Sequence, residues 1–228
     1  MMDITPITPH SSTKCAGSGA SRATGLVNPG APRATPPRLR RVRHAGSRRA
    51  RRGHILRVVE RCDECLFVYS EVPGEALPAL LRGLGGRFTA ALGEVPDVRR
   101  RPAPGVWSPL EYTCHVRDVL RVQGERLALA LRVEEPTFVP MGRDERALTE
   151  RYNDQEPATV LAELGTAAQE LAARFAGLGP AQLARTGVYP WPERQVRTLL
   201  WLGQHTVHEG EHHLLDIRRG GGAAATDG

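Results

Sequence analysis

Apolar residues recur at helical spacing in four stretches of the chain, and between them the pattern breaks. Leu77, Leu80, Leu81, Leu84 and Phe88 predict a first helix from Gly74 to about Leu92, stopped by Gly93 and Pro96. A second begins at Ser108, where Glu111 completes an S-x-x-E capping box and Pro109 suits the first turn, and runs to about Val133. The third, Pro157 to about Gly177, carries Val160, Leu161, Leu164, Leu171 and Phe175 on one side. The fourth is expected from Glu193 to about Arg219, after a Pro-rich segment around Tyr189, Pro190, Trp191 and Pro192. Residues 134–156 hold Pro136, Pro140 and Gly142 and read as a long connection crossing the bundle, with a helical turn around Asp144 to Tyr152. Four amphipathic helices and one long crossover predict an all-α four-helix bundle over residues 59–219.

Residues 1–58 show no such periodicity. They are rich in Arg, Ser, Thr, Ala, Gly and Pro, too poor in apolar side chains to offset ordering entropy, and are expected to be a disordered basic arm. Residues 220–228 are expected to be a disordered tail. The formal charge of +6 divides unevenly: residues 1–60 hold 12 Lys and Arg against Asp3 and Glu60, leaving 19 basic and 23 acidic residues in the remainder. A nucleic-acid reading therefore rests on the arm alone, through the Arg38–Arg43 and Arg48–Arg52 clusters; the composition equally fits a functionless tail or a start site placed upstream of the true one. No apolar run approaches the ~18 residues of a membrane span. Four scattered cysteines, Cys15, Cys62, Cys65 and Cys114, without a clear secretory leader, argue against a disulfide framework and for the cytoplasm.

Candidate chemistry concentrates in the fourth helix, which carries His205, His208, Glu209, Glu211, His212, His213 and Asp216. Any one of these histidines alone is better explained as a surface or core residue, but a solvated helix has no structural need for the set. Two i, i+4 pairs compete as metal ligands: His208 with His212, and Glu209 with His213. With each residue advancing about 100°, Val196, Leu199, Leu200, Gly203, Val207, Gly210, Leu214 and Ile217 define the core-facing arc, Glu209 and His213 flank it, and His208 and His212 fall on the far side. That favours Glu209 and His213. His115, one turn after Glu111 in the second helix, supplies a third ligand from a facing helix. Three protein ligands leave a position for water or a sulfur, and Asp118 or Asp216 is expected to orient a ligand from behind. Cys62-Asp63-Glu64-Cys65 is a C-x-x-C without a second pair, which argues against a zinc knuckle, and without the βαβ context of a thioredoxin-like motif; it stays unassigned between redox and metal roles. Trp107, Trp191 and Trp201 read as packing residues, the first two in loops that could line a pocket mouth.

Trp107 through Tyr112 with His115 and Asp118, then Arg151-Tyr152-Asn153-Asp154-Gln155 with Pro157, and His205 through Ile217, resemble the DinB-like superfamily near its mycothiol-dependent maleylpyruvate isomerase branch. The resemblance spans about Cys62 to Arg219. It implies a four-helix bundle holding a divalent metal, zinc first and nickel, manganese or iron as alternatives, on His115, Glu209 and His213. Many such proteins have histidine where this chain has Glu209, and glutamate there points to the thiol-using branch. The implied function is a metal-dependent transferase or isomerase in which a low-molecular-weight thiol attacks an electrophile. Apart from the resemblance, Arg117 or Arg121 is a candidate to hold an anionic substrate. The rival readings are a non-catalytic metal-binding or stress-response module, and nucleic-acid association through the arm. The expected partners are small molecules, with no membrane, and a homodimer is compatible with an exposed helix face.

Overall fold

Six α-helices and two strands follow one another in the computed structural model, which describes residues 60–191 and 193–222: α1 (Leu77–Gly93), α2 (Pro109–Arg132), α3 (Arg143–Thr149), α4 (Pro157–Ala176), α5 (Pro180–Leu183), β1 (Thr186–Tyr189), β2 (Gln195–Thr198) and α6 (Leu199–Gly222). The expected arm, residues 1–58, and residues 223–228 lie outside the described residues. Gly220, Gly221 and Gly222 do not belong to a tail: they complete the last turn of α6.

The four long helices coincide with the apolar stripes because burying those stripes is what stabilises them. Leu81, Leu84 and Phe88 of α1, Leu120 and Leu127 of α2, Leu164 and Leu171 of α4, and Leu202, Leu214 and Ile217 of α6 meet in one buried core. Ser108 caps α2 as expected: its hydroxyl accepts from the Glu111 N–H at 3.2 Å, and the Glu111 carboxylate accepts from the Ser108 N–H at 2.8 Å. Around the bundle α1 neighbours α4 and α6, and α2 neighbours the same two, so α1 and α2 occupy one diagonal and α4 and α6 the other. Arg117 meets Glu163, and Gly124 meets Leu171, so α2 and α4 run parallel and residues 133–156 must carry the chain back along the bundle. This is the long crossover. Its Phe138 N–H donates to Val188 O at 2.8 Å, fastening it to β1.

Two features depart from the sequence pattern. The fourth helix begins at Leu199, not Glu193. Gln195–Thr198 instead forms a strand antiparallel to Thr186–Tyr189, and Val196, assigned by its spacing to the helix core, is 46% exposed. The second departure lies before α1. There the chain folds back through an Arg61–Val68 bridge, with Cys62 N–H donating to Phe67 O at 2.9 Å, and lies along α6. Glu60 accepts from Trp201 Nε1–H at 3.0 Å, and Gln204 Nε2 donates to Val72 O at 2.8 Å. α6 approaches α1 closely at Gly203 and Gly210, where an added Cβ would lie 2.6 Å from Leu77 Cδ1 and 2.5 Å from Leu84 Cδ2.

Candidate metal centre

α2 and α6 run antiparallel, which brings the start of one against the end of the other. His115 projects from the first half of α2, and Glu209 and His213 from one face of α6. One ligand atom from each of the three lies within 4.8 Å of the others. His115 Nε2 and His213 Nε2 each stand 3.7 Å from Glu209 Oε2. The helical wheel points to Glu209 and His213, and the resemblance implies all three residues.

Aromatic rings and a carboxylate hold this trio. Asp216 accepts from His213 Nδ1 at 2.9 Å, which fixes the tautomer that turns Nε2 toward Glu209. Tyr112 stacks on His213 with ring centroids 5.2 Å apart, and Trp107 packs on His115 at 5.3 Å. His115 Nδ1 is buried without a hydrogen-bond partner.

Burial pushes the His115 imidazole down to about 4. Burial alone would raise the Glu209 carboxyl, but the facing imidazoles of His115 and His213 hold it well below the usual carboxylate range. His213 goes the other way: against the cost of burial, Asp216 and Glu209 raise it to about 9. Without metal, the trio is thus an ion pair with one neutral imidazole facing it. A divalent cation, taken up by two imidazoles and a carboxylate, would displace the His213 proton.

Several expected contributors have other employment. Asp118 does not orient a ligand: it accepts from Tyr152 Oη at 2.6 Å and from Arg117 Nε at 2.9 Å. Arg117 is buried and also donates to Gln155 and Glu163, and Arg121 bridges Asp118 and Glu163 at 3.5 and 3.1 Å, so these arginines brace α2 against α4. The Arg151–Gln155 motif is likewise a brace. Asn153 Oδ1 accepts from Ser108 Oγ at 2.7 Å, and Tyr152 packs on Trp107. Trp191 is exposed, and Trp201 stacks on His205. Arg143, not singled out from sequence, lies over the Trp107 ring at 5.0 Å and lends positive charge to His115 and Tyr112.

His208 and His212 are not on a solvent face. They are 2% and 6% exposed, because the segment before α1 covers that side of α6. Tyr69 Oη lies 2.9 Å from His205 Nδ1 and 3.2 Å from His208 Nδ1. Cys62 Sγ lies 3.6 Å from His212 Nδ1, so the C-x-x-C pair does have neighbours of metal-ligand type, and burial pushes the Cys65 thiol up to about 12.

The family model of the DinB superfamily matches residues 80–217, a span holding all four long helices except the first residues of α1 and the last of α6. The chain belongs to the DinB superfamily. Among solved structures this DinB-superfamily chain is similar to YfiT from Bacillus subtilis, described as a probable metal-dependent hydrolase with an unusual four-helix bundle topology. Identity is 19%, the TM-score is 0.61, and the similarity covers 67% of this chain and 87% of that one. No curated protein matches it. Among the described residues, no helix is long and apolar enough to cross a membrane.

Proposed function

We propose that this DinB-superfamily protein is a divalent-metal-dependent enzyme that holds its ion, zinc by preference, on His115, Glu209 and His213, and uses a low-molecular-weight thiol of the mycothiol kind against an electrophile. The observation that carries the reading is the convergence of three donors from two antiparallel helices, their ligand atoms within 4.8 Å of one another. A divalent ion held by these three residues would supply Lewis acidity, lowering the pKa of a thiol or water bound to it. The chain's own residues do the rest. Asp216 holds the His213 ring by its far nitrogen, while Trp107 and Tyr112 wall the two imidazoles with apolar surface. Glutamate at position 209, where many relatives are expected to carry histidine, supports the thiol over water.

A second reading, hydrolysis by water, is favoured by the likeness to YfiT, itself described as a probable metal-dependent hydrolase. One experiment separates them. Metal-loaded wild type should consume thiol in the presence of an electrophile panel, and His213→Ala should not. Cleavage of esters or amides without thiol would support the hydrolase instead. Elemental analysis comes first: His115→Ala and His213→Ala should each lose metal that wild type holds, and full metal retention by both would overturn the ligand assignment.

A further inference from the structure

The C-x-x-C pair spans a tight turn. Residues 63–65 turn the chain, Leu66 takes a left-handed conformation at φ 63, and the Cys62 N–H to Phe67 O bond closes the loop. This sets Cys62 and Cys65 against α6, where His208 and His212 stand one turn apart. Ligand atoms from all four residues lie within 4.8 Å of one another.

Bonds of about 2.3 Å to sulfur and about 2.1 Å to nitrogen at a tetrahedral angle put the two ligand atoms about 3.6 Å apart. Cys62 Sγ and His212 Nδ1 are separated by 3.6 Å. The imidazoles are also held from behind. His208 Nδ1 is engaged by Tyr69 Oη, which leaves Nε2 as its ligand atom, and that Nε2 is buried with no hydrogen-bond partner. His212 Nε2 faces the carboxylates of Asp216 and Glu64, each at 3.8 Å, so Nδ1 is the atom turned to Cys62. A buried imidazole nitrogen without a partner is costly in an apoprotein, and coordination satisfies it.

We propose that Cys62, Cys65, His208 and His212 form a closed zinc site that clamps the segment before α1 onto α6. Two thiolates and two imidazoles select zinc over the harder divalent ions, and four protein ligands leave no position for substrate, so the site is structural. It shares no ligand with His115, Glu209 and His213.

The test uses the full chain with zinc or cobalt as the only added metal. Wild type should bind about two equivalents of zinc; Cys62→Ser/Cys65→Ser should lose about one, and His115→Ala/His213→Ala the other. Cobalt-loaded wild type should show the sulfur-to-cobalt charge-transfer absorption and the intense visible bands of a tetrahedral ion. His115→Ala/His213→Ala should keep both, and so should Cys15→Ser/Cys114→Ser, which leaves the four ligands intact even if the other cysteine variant does not fold. Absence of sulfur–cobalt absorption in wild type, its loss in Cys15→Ser/Cys114→Ser, or its persistence in folded Cys62→Ser/Cys65→Ser would overturn the clamp. A Cys62–Cys65 disulfide in freshly purified, metal-replete protein would do so as well. Metal lost through His115 and His213 without any sulfur signature would leave the proposed function standing and remove the clamp alone.

Discussion

Asp216 stands between two imidazoles, 2.9 Å from His213 Nδ1 and 3.8 Å from His212 Nε2. Carboxylates behind metal-bound histidines typically contribute about 10–100-fold in affinity. Asp216→Asn should therefore weaken metal binding at His115, Glu209 and His213 by about that factor, read by competition with a chromophoric chelator. The metal-free protein should also carry a defined pH signature. His115 and His208 stay neutral in the fold down to about 4, whereas an unfolded histidine protonates near 6.5. The unfolded chain thus binds more protons in that window, and stability falls as pH drops through it. His213 has the opposite sign. Raised to about 9, it contributes stability that is fully present below about 6.5 and lost as pH rises through 9. Urea midpoints of metal-free protein should peak near pH ~6.5, and a midpoint still climbing toward pH ~9 would contradict a charged His213. Glu209 and His213 were legible in sequence because both flank an apolar arc that a helical wheel can draw. His208 and His212 were not, because a wheel knows only the bundle and not the segment that folds back over the opposite face.

The helices themselves were legible wherever a local signal agreed with the periodicity. The Ser108–Glu111 box marks the start of α2 to the residue, and Ser108 is further engaged by Asn153. Ser108→Ala should cost about 0.5–2 kcal/mol in chemical denaturation, with the m-value unchanged. At the α1–α6 contact, Gly203→Ala should also destabilise although alanine favours helix. Its Cβ would press on Leu77 Cδ1 and two Phe175 ring atoms within 2.8 Å. Overpacking of about 1–3 kcal/mol outweighs a propensity gain of about 1 kcal/mol. A stabilised variant would mean that α6 moves easily away from α1. The β1–β2 hairpin escaped the sequence reading for a physical reason. Four residues cannot show a helical period, so Val196 fitted the wheel by coincidence, while what fixes the strand is Val188 opposite Val196 in the register.

At the scale of the molecule, the chain is a DinB-superfamily bundle in which α2 and α4 are parallel and the other two connections run across diagonals. The crossover was visible from its length and its prolines; the diagonals were not, since no local pattern encodes which helix faces which. Among the described residues, the candidate ligands lie between Cys62 and His213. A protein lacking residues 1–58 should therefore keep the helical circular dichroism and the metal content of the full chain. DNA binding, where present, should disappear with those residues, because the remainder carries 19 basic against 23 acidic residues. Retention measurements at several salt concentrations check this directly.

The diagonal placement of α1 and α2 also bears on how the protein is made. A chain emerging from the ribosome in most helical bundles can pair its first two helices as a hairpin while synthesis continues. Here the first two long helices are not neighbours, and α2 meets the next long helix, α4, only in parallel. The apolar stripe of α1 waits for α4 and α6, the latter completed 129 residues after Gly93. At bacterial or eukaryotic elongation rates that wait is on the order of ten seconds. Throughout it the stripe of α1 lacks the helix that completes its burial, so its leucines should stay exposed longer than in a bundle built from sequential hairpins.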